Sequence, residues 1–79
     1  MYYVYILRSI HHPDQRYIGY TKNLKQRFAD HNGGESVHTA KYKPWQIDAY
    51  FAFRDEVKAA EFEKYLKSGS GREFAKKHF

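Results

Sequence analysis

The stretch "YYVYILRSIHHPDQRYIGYTKNLKQRFADHN", residues 2–32, decides how this chain folds. Its opening, "YYVYILRS", is β-branched and aromatic and carries apolar residues on both alternating faces. Tyr3, Tyr5 and Leu7 share one face, and Tyr2, Val4 and Ile6 share the other, which predicts a central strand buried on both sides. "HHPDQ" reads as a turn, with Pro13 and Asp14 as its markers. "RYIGY" then reads as the second strand of a hairpin. Gly19 near its end points to a bulge or a close backbone approach. Thr21 is the expected N-cap of a helix from Lys22 to His31 that "NGG" ends. Leu24 and Phe28 make its i, i+4 apolar pair, with Arg27 and His31 on an adjacent face.

The pattern continues outward from there. Residues 32–44 read as a polar loop, and "WQIDAYFAF" as a third strand. Asp55 is the expected cap of a second helix running through Lys67. The apolar stripe of that helix includes Ala59, Phe62 and Leu66, with Glu63 on or beside it. "GSG" breaks the chain, and Ser70 with Glu73 has capping-box spacing for a last helix, "REFAKKHF". The order β-β-α-β-α-α implies an antiparallel α+β class. Seventy-nine residues without a repeat or linker imply one domain, residues 1–79.

Bulk composition narrows the partners. Lys and Arg number 14 against 9 acids, a formal charge of +5, which favours an anionic partner. Cysteine is absent, so neither a disulfide nor a thiolate metal site braces the chain. The aromatic content of 19% takes over much of that task. "MYYVYIL" is too short for a signal-peptide core, and nothing approaches the ~20 apolar residues of a membrane span. A soluble cytoplasmic protein with no membrane partner is the expectation.

Three features are odd as pure structure: tyrosines on both hairpin strands, Arg27 beside His31, and Glu63 at an apolar stripe. Core aromatics and solvated helix faces explain each one singly. Together they make a kit for phosphodiester cleavage. A carboxylate holds a hard divalent cation such as Mg²⁺. An arginine grips phosphate through its planar fork. A tyrosine or histidine exchanges a proton with water.

The same residues carry a family resemblance. "YVY" at 3–5, "YIG" at 17–19, the helix "NLKQRFADHN" and the helix "AAEFEKYLK" follow one another in the order and spacing of the GIY-YIG nuclease family. "YLKSGSGR" resembles its small single-domain members. The resemblance implies a three-stranded antiparallel sheet flanked by helices and a metal-dependent endonuclease acting on DNA. It implies Tyr5 and Tyr17 as site tyrosines, Arg27 as the phosphate-binding arginine and His31 as its partner. Glu63 becomes the ligand of one Mg²⁺ or Mn²⁺ ion. Two departures stand out. The first triplet begins with Tyr3 instead of glycine, and the late asparagine of many members is absent.

Other residues suit nucleic acid contact. His38, Lys41 and Lys43 lie in a loop with Trp45, and basic residues interleaved with aromatics suit single strands. Lys25 and Arg27 on the first helix, and Lys67 and Arg72 toward the C-terminus, suit phosphates. "SGSGR" suits either an amide nest for phosphate or a helix restart. His11-His12 makes no metal motif. A nucleic-acid-binding module, and a nuclease subunit dependent on a partner, are the alternatives to an independent enzyme.

Overall fold

The computed structural model describes residues 1–79. Strand β1 (Tyr2–Ser9) lies at the centre of a three-stranded sheet, between β2 (Arg16–Thr21) and β3 (Trp45–Phe53). Both pairings are antiparallel. The helices are α1 (Leu24–Gly33), α2 (Val37–Ala40), α3 (Glu56–Lys67) and α4 (Gly69–His78). The expected class and strand order stand, with one addition: α2 is a single turn inside the stretch expected as a loop.

Alternation along β1 creates two cores. Val4 and Ile6 meet Ala59, Leu66 and Ala75 from α3 and α4, with Phe51, Phe62 and Phe74 around them. On the opposite face Tyr5 and Leu7 meet Trp45, closed by Tyr17, Leu24 and Phe28. Each fully buried apolar side chain contributes about 1.5–3 kcal/mol against exposure. A central strand that serves both faces therefore outweighs the hairpin's local preferences.

Several boundaries differ from expectation. Asn23, and not Thr21, caps α1. Strand β2 runs on through Thr21, so the extended residue before the helix is Asn23, whose side chain accepts from the Gln26 N–H at 3.1 Å. Thr21 supports the entry by accepting from the Asn23 N–H. The helix ends on Gly34, held at φ +83°, where L side chains are strained. At the other end Ser68, and not Ser70, caps α4, accepting from the Gly71 N–H at 3.2 Å. The cap lies two residues earlier, and Gly71 packs on the backbone of Tyr65, where a Cβ would strike the carbonyl. "SGSGR" is thus a helix junction.

Gly19 makes no bulge. It pairs in register with Tyr5, and the Tyr5 ring lies over it, so that any Cβ would collide with the Tyr5 Cζ and hydroxyl. The irregularity of the sheet is on β3 instead, where the register shifts beside Ile6 and Leu7. The additional residue there, Asp48, pairs with Arg8 at 2.8 Å.

Candidate functional site

Tyr5, Tyr17, Arg27 and His31 converge on the face that α1 covers. Tyr5 is 1% exposed and His31 is fully buried. The Tyr5 hydroxyl meets His31 Nε2 at 2.9 Å. Ring centroids of Tyr17 and His31 lie 4.9 Å apart, and those of Tyr5 and Tyr17 lie 6.3 Å apart. Tyr17 and Arg27 are only partly buried and form the accessible rim, while Tyr5 and His31 form the floor. The sequence places them simply: Tyr5 and Leu7 point the same way on β1, Tyr17 sits on the neighbouring strand, and Arg27 and His31 are one helical turn apart.

Burial governs the electrostatics. Desolvation pushes the Tyr5 phenol up to about 12, and Tyr17 beside it adds to the rise. The Arg27 guanidinium nearby opposes this, while Glu63 raises the value. His31 is lowered by desolvation first and by the Arg27 cation second, with Asp30 opposing. A buried, neutral histidine therefore faces a protonated phenol at neutral pH. Tyr20, outside this cluster, is also raised to about 12, chiefly by its hydrogen bond to Glu56 at 2.6 Å.

The lowered His31 value carries a prediction. The unfolded chain binds a proton near pH ~6.5, whereas the folded one resists it. Stability therefore falls as pH drops through that value and continues to fall toward the folded value. Melting temperature is expected to decline between pH 7 and pH 5, and His31→Gln is expected to flatten the decline. An equally steep profile in His31→Gln would assign the acid sensitivity elsewhere.

Glu63 comes from α3, which packs on the other side of β1 and β2. Its carboxylate is 24% exposed and pairs with Lys67 at 3.1 Å. Its charge is the least of the causes that raise the Tyr5 and Tyr20 phenols. Nowhere do three His, Cys, Asp or Glu side chains converge as a metal cage. The donor set suits only a hard ion that keeps most of its own waters and takes one carboxylate. A largely uncaged, partly exposed Glu63 fits that description, with Lys67 as the cation that the ion would displace.

The basic residues divide. Lys67 and Arg72 line a groove of about 700 Å³ together with Tyr17, Arg16 and Lys76. Lys25 projects from α1 into solvent, and His38, Lys41 and Lys43 are exposed on and after α2. Trp45 is not available to stack on a base. It is 3% exposed, with its Nε1–H donated to the Thr39 carbonyl at 2.9 Å.

Asn32 and Thr39 were invisible in the sequence as site-shaping residues. Asn32 brackets Trp45, accepting from its N–H and donating to its carbonyl. Thr39 Oγ1 lies 2.7 Å from His31 Nδ1. No asparagine occurs on α3 or α4.

Residues 1–77 match the GIY-YIG catalytic domain. The chain belongs to the GIY-YIG family. It is 38% identical over 60 residues to the "UPF0213 protein in ldhD 5'region" of Pediococcus acidilactici, covering 72% of this chain and 61% of that one. It is 34% identical over 67 residues to the "Structure-specific endonuclease subunit SLX1" of Malassezia globosa, covering 80% of this chain and 15% of that one. The protein of the same description from Debaryomyces hansenii is 37% identical over 73 residues, covering 84% and 21%. This GIY-YIG chain thus spans less than two thirds of the length of each of these relatives. No helix is long and apolar enough to cross a membrane.

Proposed function

We propose that this GIY-YIG domain is an endonuclease that hydrolyses phosphodiester bonds in DNA with a divalent cation, Mg²⁺ or Mn²⁺, held by Glu63. The observation that carries the reading is the buried Tyr5–His31 hydrogen bond at 2.9 Å with Arg27 beside it. A core would more cheaply fill that volume with apolar groups than with a phenol and an imidazole.

The chemistry follows from those three side chains. A phenol at about 12 is almost never ionised at neutral pH, so Tyr5 alone is a poor base. With His31 Nε2 as acceptor it works as a relay. Water enters past Tyr17 and Arg27, its oxygen bonds to phosphorus, and its proton passes to the Tyr5 oxygen while the Tyr5 proton passes to His31. The leaving oxygen departs on the opposite side and takes its proton from solvent. Arg27 donates to the non-bridging oxygens as their charge grows. Its pairing with Asp30 is loose at 3.9 Å, which leaves the guanidinium free to turn. The cation on Glu63 would supply charge stabilisation for the leaving oxygen.

The groove beside Tyr17 is the natural track for the backbone that leaves the site. It offers Arg16, Lys67, Arg72 and Lys76 against one carboxylate, Asp14. Arg16→Gln with Arg72→Gln is expected to make DNA binding less salt-dependent, lowering the log–log slope by about 0.7–0.9 for each phosphate no longer neutralised. An unchanged slope would put the DNA elsewhere. Arg27→Lys is expected to fail nearly as badly as Arg27→Ala, because lysine lacks the fork. If lysine restores most of the activity, Arg27 acts only as a charge.

The test is incubation of the purified protein with end-labelled single-stranded, duplex and branched DNA, in Mg²⁺, Mn²⁺ or EDTA. Discrete products that EDTA abolishes support the proposal. Binding without product on every substrate would favour the second reading, a nucleic-acid-binding module or a subunit awaiting a partner. The Glu63–Lys67 ion pair favours that second reading, since it already compensates the carboxylate.

A further inference from the structure

We propose that Thr39 is a positioning residue that fixes the tautomer of His31, so that Nε2 faces Tyr5 without a proton. This role rests on the relay reading of Tyr5 and His31, and adds to it the residue that keeps the relay pointed in one direction.

Three hydrogen bonds run in series through the buried face. Tyr5 OH meets His31 Nε2 at 2.9 Å, His31 Nδ1 meets Thr39 Oγ1 at 2.7 Å, and Thr39 Oγ1 reaches the Ser36 carbonyl at 3.4 Å. A neutral imidazole carries one N–H, and a hydroxyl has one proton to give. The proton of the buried Tyr5 phenol has His31 Nε2 as its acceptor, which puts the ring proton on Nδ1, and the Thr39 hydroxyl turns its own proton to the Ser36 carbonyl. Thr39 then receives from His31 Nδ1–H, which leaves Nε2 bare to accept from Tyr5. The opposite tautomer leaves the proton of a phenol that is 1% exposed with no acceptor, whereas the Ser36 carbonyl keeps the Thr39 and Ala40 N–H donors in either case.

Thr39 is held where this requires. It is 1% exposed on α2, and its carbonyl accepts the Trp45 indole N–H. Trp45 is itself bracketed by Asn32, one residue after His31 on α1. The short helix is therefore tied to the sheet and to α1 at the point where the histidine needs its partner.

The groups facing His31 are Tyr5 and Tyr17 from the sheet, Arg27 and Asp30 from its own helix, and Thr39 from α2. Only Thr39 meets Nδ1. A histidine held in the wrong tautomer costs about 10⁴-fold where a carboxylate normally orients it. A neutral hydroxyl orients less strongly, and the scale set by partners that orient metal-bound histidines, about 10–100-fold, is the expectation here.

The test is two-bond ¹H–¹⁵N correlation of the His31 ring at neutral pH, in the wild-type chain, Thr39→Val and Thr39→Ser. It needs no cleavage, so it stands or falls separately from the nuclease reading. The expected result is an Nδ1–H ring in the wild type and in Thr39→Ser, and an Nε2–H or mixed ring in Thr39→Val. Single-turnover cleavage is expected to fall about 10–100-fold in Thr39→Val with DNA affinity unchanged, and to recover in Thr39→Ser. An Nε2–H ring in the wild type would overturn the proposal, as would an unaltered Nδ1–H ring in Thr39→Val. If Thr39→Val fails to fold, the wild-type and Thr39→Ser spectra decide it alone.

Discussion

Glu63→Gln is expected to abolish cleavage while DNA binding persists or tightens. Glutamine keeps the shape of the side chain and removes its charge. A hydrated hard cation with one protein ligand loses its only anionic anchor. Transition-state charge that the ion offsets is worth several kcal/mol, and each ~1.4 kcal/mol is tenfold in rate. The expected loss is therefore about 10³-fold or more at saturating Mg²⁺. Affinity moves the other way, because a carboxylate no longer faces phosphate, and Lys67, freed from its pairing at 3.1 Å, becomes available to the backbone. Wild-type rates in Glu63→Gln would remove Glu63 from the metal role. Weakened binding without loss of rate at saturation would recast the Glu63–Lys67 pair as a structural tie.

Much of the fold was legible because β1 states it twice. The bounds of "YYVYILRS" and "WQIDAYFAF" coincide with β1 and β3, since aromatic and β-branched runs between turn residues admit little else. Capping was legible only in kind. Thr21 and Asn23 are both good caps, and the choice depends on how far β2 pairs with β1. Ser68 and Ser70 pose the same ambiguity, at a junction where two helices touch and Gly71 packs against Tyr65. Tyr5, Tyr17, Arg27 and His31 were legible because two short strands and one helix set them by local geometry. Gly19 was half legible. Its close approach is to the Tyr5 ring, a cross-strand neighbour that spacing does not reveal. Thr39 was illegible: "ESVHTAKYK" reads as a solvated loop, and its burial comes from Trp45 packing from the next strand.

Tyr5→Phe is the second change with a large expected effect, and it separates chemistry from packing. The ring stays over Gly19, and only the hydroxyl goes. That leaves His31 Nε2 buried without its partner, at a cost of about 1–3 kcal/mol, or a fall in melting temperature of about 4–8 °C per kcal/mol for a domain of this size. The rate should fall much further, because the relay loses the group that meets water, and such proton transfers are worth about 10²–10⁴-fold. Tyr17→Phe is expected to stay folded and lose most of its turnover as well. Tyr50→Phe, whose side chain is exposed on β3, is expected to keep both stability and rate. Gly19→Ala is the complementary probe. Its Cβ evicts the Tyr5 hydroxyl from its place while every catalytic side chain remains, so it should lose activity along with stability.

The central claim is that the buried Tyr5–His31 pair is reaction machinery and not core. Single-turnover cleavage of one labelled DNA in saturating Mg²⁺, measured beside thermal melting for wild type and Tyr5→Phe, tests it most directly. The expected result is a folded Tyr5→Phe protein whose rate at a temperature well below its melting point is about 10²–10⁴-fold lower. A folded Tyr5→Phe protein that cleaves at nearly the wild-type rate would contradict it, and would return the phenol to the core.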